Sequence, residues 1–312
     1  MENLIFSINV VLPLFLIMCL GTFLRKINIF NDSFLKTANK FAFKVLLPAL
    51  LFNNIYNSEI SKAVNLKLII FAISIVIITI GALFIIIPKF EKDKRNIGVI
   101  IQGLFRSNIV LFGIPLCSNI FGESSVAVTS TLIGIIIPIY NFTAVIVLEM
   151  YSKDKLDIKR ITINILKNPL IIGSMLGIIA TSINLKLPTS IEKTISDLAV
   201  MATPLALMVL GGEIEITKIG DNIKYIISVV LTKLIIIPVI IIIISLIFGF
   251  RGSDLGILFI FAASPIAVSS YTMAQQYNCN YELAGQLVFV STIVSAITIF
   301  MFVYVLKMIN LI

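Results

Sequence analysis

LIIFAISIVIITIGALFIII, residues 68–87, runs for twenty positions without a charged side chain. A bilayer core is about 30 Å thick, and a helix rising about 1.5 Å per residue needs roughly 20 apolar residues to cross it. A second run, residues 226–248, carries one charge, Lys233, in an otherwise apolar or hydroxylic stretch. Working outward from these two, a window of about 19 residues leaves few gaps anywhere in the chain. Over the whole 312 residues, 59% are hydrophobic and 13% charged. A soluble domain carries roughly twice that charged fraction, so the reading is a polytopic α-helical membrane protein.

Ten spans are expected at about 4–24, 36–57, 67–87, 96–120, 124–150, 161–183, 191–213, 223–249, 253–275 and 281–309, with boundaries soft by a few residues. The first follows Met1-Glu2-Asn3, without a basic region, and reads as a retained helix. The net charge of +8 sits in short loops between apolar runs and is no nucleic-acid signal. The loops after odd-numbered spans hold 13 cations: Arg25, Lys26, Lys36, Lys89, Lys92, Lys94, Arg95, Lys153, Lys155, Lys159, Arg160, Lys218 and Lys224. The opposite side holds 6: Lys62, Lys67, Lys186, Lys193, Arg251 and Lys307. The richer side is expected in the cytoplasm, of a cell or inner membrane, which leaves both termini outside. There is no His, and Cys19, Cys117 and Cys279 are far apart, so neither a metal site nor any other cofactor is expected.

The prolines suggest a repeat. Pro13 and Pro48 are 35 residues apart, as are Pro169 and Pro204; Pro88 and Pro115 are 27 apart, as are Pro238 and Pro265. Pro13 to Gly21 matches Pro169 to Gly177. Kink-forming proline is common in membrane helices, but that explains one or two coincidences, not four in order. The expected organisation is a five-helix half over 1–150, a short cytoplasmic linker over 151–160, and a second half over 161–312. Five being odd, the second half enters from the opposite side, and inverted repeats of this kind mark secondary transporters.

Spans 4 and 9 each carry a proline near mid-membrane beside small residues, Gly113-Ile114-Pro115 and Ala263-Ser264-Pro265. Proline removes a donor and disfavours helix in the residue before it, so both spans are expected to break there, with Ser264 capping one restart. Two crossed breaks would present helix N-termini to an anion; the plainer alternative is a pair of ordinary kinks. Asn108 lies about two turns before Pro115 and either donates to a carboxylate or bonds a neighbouring helix. Arg106 either steers an anion or is a structural or snorkelling cation; Lys233 reads as a structural cation paired with a carbonyl or carboxylate. Asn53 and Asn54 either line the site or face the outer surface. Gln276 and Ser264 are candidates for the site, and Arg106, Lys233 and Glu213 for coupling or charge support.

Ser107-Asn108-Ile109-Val110-Leu111-Phe112-Gly113-Ile114-Pro115-Leu116, followed by Phe121-Gly122, resembles the span-4 motif of the auxin efflux carrier family. That family includes plant PIN-type carriers and bacterial malate- or malonate-permease-like proteins. Pro265, Ala274, Tyr277, Asn278 and Ser291-Thr292 are similar as well, and the resemblance covers nearly the whole chain. It implies ten helices as two inverted five-helix repeats, a bile-acid-symporter-like elevator fold with helices 4 and 9 crossing at their prolines. It implies a scaffold of helices 1, 2, 6 and 7, a moving part of 3–5 and 8–10, a carboxylate near Asn108, and a homodimer. Two departures stand out: Gly211-Gly212-Glu213-Ile214-Glu215 finds no match, and Gln275-Gln276 replaces a charged pair. Auxin itself is therefore not implied.

The expected activity is alternating-access transport of a small organic anion, driven outward by about 2.3 kcal/mol per charge per 100 mV where the interior is negative. The alternatives are a Na+- or H+-coupled symporter, or a ligand sensor on the same fold. A channel would need a charged ring or filter repeat. An enzyme would need acid–base or nucleophile motifs, and neither pattern is present.

Overall fold

The computed structural model describes residues 2–57, 66–122, 124–152, 163, 166–213, 220 and 222–312. These form helices α1 (Glu2–Lys26), α2 (Asp32–Phe41), α3 (Leu47–Tyr56), α4 (Leu66–Phe90), α5 (Lys94–Phe105), α6 (Ile109–Phe121) and α7 (Ser124–Tyr151). They continue with α8 (Pro169–Ser182), α9 (Thr189–Glu213), α10 (Ile223–Leu231), α11 (Ile237–Ile247), α12 (Gly252–Ala263), α13 (Ser269–Gln276) and α14 (Tyr281–Met308). The described residues contain no strand beyond one isolated bridge, Ser107 to Ile266.

Helix starts follow local chemistry. Asn31, Asp93, Asn168 and Asn280 each accept a first-turn amide, from Phe34, Arg95, Leu170 and Leu283. Such side chains satisfy amides that a helix cannot pair internally. Two π turns, Ala42–Leu46 between α2 and α3 and Thr232–Ile236 between α10 and α11, each end two residues before a proline, Pro48 and Pro238. The proline ring presses on the carbonyl four residues back, and one widened turn accommodates it without ending the span.

Among the described residues, five helical segments are continuous, long and apolar enough to cross a membrane: Leu66–Phe90, Ser125–Tyr151, Thr189–Glu213, Ile223–Ile247 and Tyr281–Met308. They coincide with expected spans 3, 5, 7, 8 and 10. Spans 4 and 9 are each split into two short helices, and span 2 carries a π turn. The linker beyond Ser152, most of the start of span 6, Ile214 and Glu215, and the cations Lys62, Lys153, Lys155, Lys159, Arg160 and Lys218 lie outside the described residues. Isoleucines face outward as well as inward. On α4, Ile77, Ile78 and Ile85 are exposed while Ile75 and Ile80 are buried, a helix apolar all round that suits a lipid surroundings.

Helix starts recur at a fixed interval. Asp32 and Thr189 are 157 residues apart, Leu66 and Ile223 157, Lys94 and Gly252 158, and Ser124 and Tyr281 157. Pro13/Pro169 and Pro48/Pro204 keep almost this interval, at 156. Pro88/Pro238 and Pro115/Pro265 are offset by 150, and so occupy different places in their helices. Pro88 closes α4 while Pro238 opens α11, so the last two proline pairs expected from the sequence are not structural mates.

The closest helix contacts use glycine. A methyl on Gly21 would run into the Met208 carbonyl, and one on Gly177 would meet the Phe52 carbonyl oxygen at 3.2 Å. Gly177 lies 156 residues after Gly21, and Met208 lies 156 after Phe52. Gly211 likewise faces the Met18 carbonyl, and the Thr22 hydroxyl donates to the Gly211 carbonyl at 2.7 Å. These contacts lock α1 to α9 and α3 to α8, as small residues do between membrane helices. Gly21→Ala or Gly211→Ala should lose about 1–3 kcal/mol through overpacking. Gly81→Ala, whose Cβ would meet open space, should be neutral or slightly stabilising. Thermal unfolding of the detergent-solubilised protein checks both.

Candidate functional site

The two interrupted spans meet. Between α5 and α6, Arg106 is extended (φ −87°, ψ 97°) and Asn108 lies at φ −81°, ψ 59°. Between α12 and α13, Ser264 is extended (φ −58°, ψ 141°), as the residue before a proline must be. Ser107 and Ile266 pair as a minimal antiparallel bridge. The Asn108 N–H donates to the Pro265 carbonyl at 2.8 Å and the Ala267 N–H to the Arg106 carbonyl at 3.1 Å. The Ile266 N–H donates to Ser291 Oγ on α14 at 3.2 Å. An unpaired buried amide costs about 1–3 kcal/mol, so each interruption serves as the other's partner.

One expectation is corrected. The break in span 4 is at Arg106–Asn108, not at Pro115, which lies inside continuous α6 with its side chain exposed. Proline there removes one internal hydrogen bond, which a helix survives with a bend. At Arg106–Asn108 the backbone instead finds its partners on the opposite interruption. Pro265 does sit in its break. Ser264 does not cap α13: it is fully buried and its hydroxyl donates back to the Ile260 carbonyl at 2.7 Å.

Beside the crossing lies a cavity of about 360 Å³. Its polar lining consists largely of donors. Arg106, 5% exposed, reaches it and donates to Met273 Sδ and Asn141 Oδ1, both at 2.5 Å. The side-chain amide nitrogens of Asn54 and Asn141 are buried there without a partner. Asn108 lines it, half-buried and making no capping bond. Ile109, Val110 and Leu111 open α6 and Ser269 opens α13, all along its wall, and first-turn amides have no carbonyl in their own helix. The remaining walls are apolar, with Leu14, Ile17, Leu50, Leu51, Val200 and Leu207. Among the described residues lining it there is no Asp or Glu.

Of the other expected site residues, Gly113 is buried in packing against Phe261, Ile133 and Thr129, and Gln276 lies half-buried in the last turn of α13. Asn53 accepts from Asn57 Nδ2 at 3.0 Å. None of these three lines the cavity. Lys233 is paired with neither a carbonyl nor a carboxylate: its ammonium donates to Ser107 Oγ at 2.5 Å. Asn141 and Tyr140 are cavity residues that the sequence reading passed over, while Ser107 stands in the span-4 motif. Asn141, in an apolar span, carried the usual signal of a costly intramembrane polar group.

Glu213 belongs to a second cavity, of about 430 Å³, with Arg25, Lys36, Tyr271 and Gln275. Its carboxylate accepts from the Tyr271 hydroxyl and from Gln275 Nε2, the latter at 2.8 Å, while Gln275 Oε1 accepts from Asn39 Nδ2. Thus α13 touches one cavity at Ser269 and the other at Tyr271 and Gln275.

Interrupted helices whose breaks are paired inside a helical bundle are a device of membrane transport proteins. The sequence profile of the membrane transport protein family matches residues 6–303, so the chain belongs to that family, the one of the auxin efflux carriers. It is 22% identical over 309 residues to an uncharacterised transporter of Methanocaldococcus jannaschii, covering 96% of this chain and 98% of that one. It is 24% identical over 309 residues to an uncharacterised transporter of Methanothermobacter thermautotrophicus, covering 94% and 96%. The chain is accordingly a membrane transport protein and not an enzyme.

Ser291→Ala should strand the Ile266 amide and lower stability by about 1–3 kcal/mol. Thr292→Val should cost far less, because the Thr292 hydroxyl bonds only the Val288 carbonyl of its own helix. Comparative thermal unfolding of the two variants tests this division.

Proposed function

We propose that the protein is a secondary carrier of a small organic anion, a carboxylate with an apolar body, working by alternating access. The observation that carries this reading is Arg106. It is a buried guanidinium on the cavity wall, held by a thioether and an amide, with no carboxylate among the described lining residues. A charge pair at 4 Å is worth about 4 kcal/mol at an effective dielectric of about 20, so an arriving anion gains substantially. Asn54, Asn141, Asn108 and the two helix N-termini add donors, and the aliphatic walls suit the rest of the molecule.

The halves 1–150 and 161–312, joined by 151–160, act in this reading as inverted five-helix repeats, supported by the recurrence of helix starts at 157–158 residues. The glycine-locked α1–α9 and α3–α8 pairs support a rigid scaffold against which α4–α7 and α10–α14 move, in elevator fashion. A homodimer in the cell membrane with both termini outside completes the proposal. A second reading, coupling to H+, is favoured by Glu213, which ties α9 of the scaffold to Tyr271 and Gln275 of the moving part. Acid-inside and acid-outside vesicles separate it from uniport.

In proteoliposomes, a carrier shows saturation and counterflow, whereas a channel shows neither and a sensor binds without flux. Arg106→Gln and Asn108→Ala should each weaken carboxylate binding, Arg106→Gln by about tenfold or more, the worth of a charge-assisted hydrogen bond. Thermal-shift titration with mono- and dicarboxylates measures this. Full affinity in a folded Arg106→Gln chain would remove the basis of the assignment.

A further inference from the structure

Lys233 is the largest charged side chain fully enclosed by the bundle, at 1% exposed, and it sits in the π turn between α10 and α11. Its ammonium donates to Ser107 Oγ at 2.5 Å. Ser107 is the bridge residue of the crossing. Ser107 and Tyr140 each line the large cavity on one side and, on the other, a small one of about 30 Å³ that Lys233 also lines. The ammonium therefore stands one side chain behind the cavity wall. Among the described residues no Asp or Glu forms an ion pair with it.

We propose that Lys233 is the specificity-determining residue of the carrier. Its ammonium, held behind Ser107, makes the crossing prefer an anion to a neutral molecule of the same shape. The proposal rests on reading the cavity as an anion site. A buried ammonium without a counter-charge is costly, and a hydroxyl does not neutralise it. The missing negative charge is the substrate's. Lys233 does not touch the anion; it acts through the field across Ser107, adding to Arg106 on the wall. The same geometry opposes sodium. The Pro265 and Arg106 carbonyls are engaged by Asn108 and Ala267, Ser264 points back along α12, and Ser107 Oγ already faces a cation. A metal ion there would meet an ammonium.

A merely structural anchor would also bond Ser107, so the test must read charge. Purified full-length protein is titrated with hexanoate and with the neutral isostere hexanamide, by thermal shift, in NaCl and in choline chloride. Wild type should prefer hexanoate and behave alike in both salts. In Lys233→Met, hexanoate affinity should fall about tenfold or more while hexanamide affinity stays within about twofold. Lys233→Arg should keep the preference. Lys233→Gln gives the same readout where the methionine chain does not fold. An undiminished hexanoate preference in the neutral variants, or a sodium requirement in wild type, overturns the proposal. Wild type indifferent to hexanoate and to the wider carboxylate panel would sink the cavity reading, and this inference with it. Equal, preserved anion binding in wild type and Lys233→Met sinks Lys233 alone.

Discussion

Everything at the centre of this molecule follows from the cost of backbone polar groups taken out of a helix where water is scarce. Two spans stop being helical at the same depth, and either alone would leave amides and carbonyls orphaned. They are instead brought face to face, so that Asn108 bonds Pro265, Ala267 bonds Arg106, and Ser291 takes up the Ile266 amide. That pairing fixes which residues restart as α6 and α13. It also sets the start of α6 and the first residue of α13 along one cavity wall.

The same constraint links the two cavities. Helix α13 is eight residues long, about 12 Å at 1.5 Å per residue, and begins in the crossing. Its first residue lines one cavity, and Tyr271 and Gln275 reach Glu213 on α9 in the other. A displacement of the crossing moves both contacts. The α1–α9 and α3–α8 pairs, by contrast, are seated backbone to backbone at glycines, where sliding meets carbonyl oxygens within van der Waals distance. The molecule thus combines a tightly keyed part with one whose central contacts are single hydrogen bonds.

Much of this was legible from the sequence, and the part that was not has a physical reason. Long apolar runs gave the five uninterrupted spans. The Gly21 and Gly177 spacing reported a true pair of contacts, because only a missing side chain lets two backbones approach so closely. Proline was the weaker guide. It announced the break at Pro265, but at Pro115 the helix absorbed it, and Pro48 and Pro238 were accommodated by π turns. Proline removes one donor; whether a helix breaks depends on whether another element offers better partners, which a local reading does not contain. Asn141 became a site residue only when α5, α7 and α13 were placed together.

The distribution of charge is the least ordinary feature of the interior. Arg106 and Lys233 are both buried beside the crossing, and both donate to neutral acceptors. The buried carboxyl-bearing residues among the described set, Glu91 and Glu149, are near helix ends at Phe90 and Tyr151 instead. Burying cations without their counter-ions opposes folding, so selection for stability alone would replace them with apolar side chains of similar volume. Their presence on either side of Ser107 is accounted for if the negative partner arrives from outside the chain. On the proposed function, a substrate that completes the charge balance is bound most tightly when the crossing encloses it, and moving the crossing empty carries a cost.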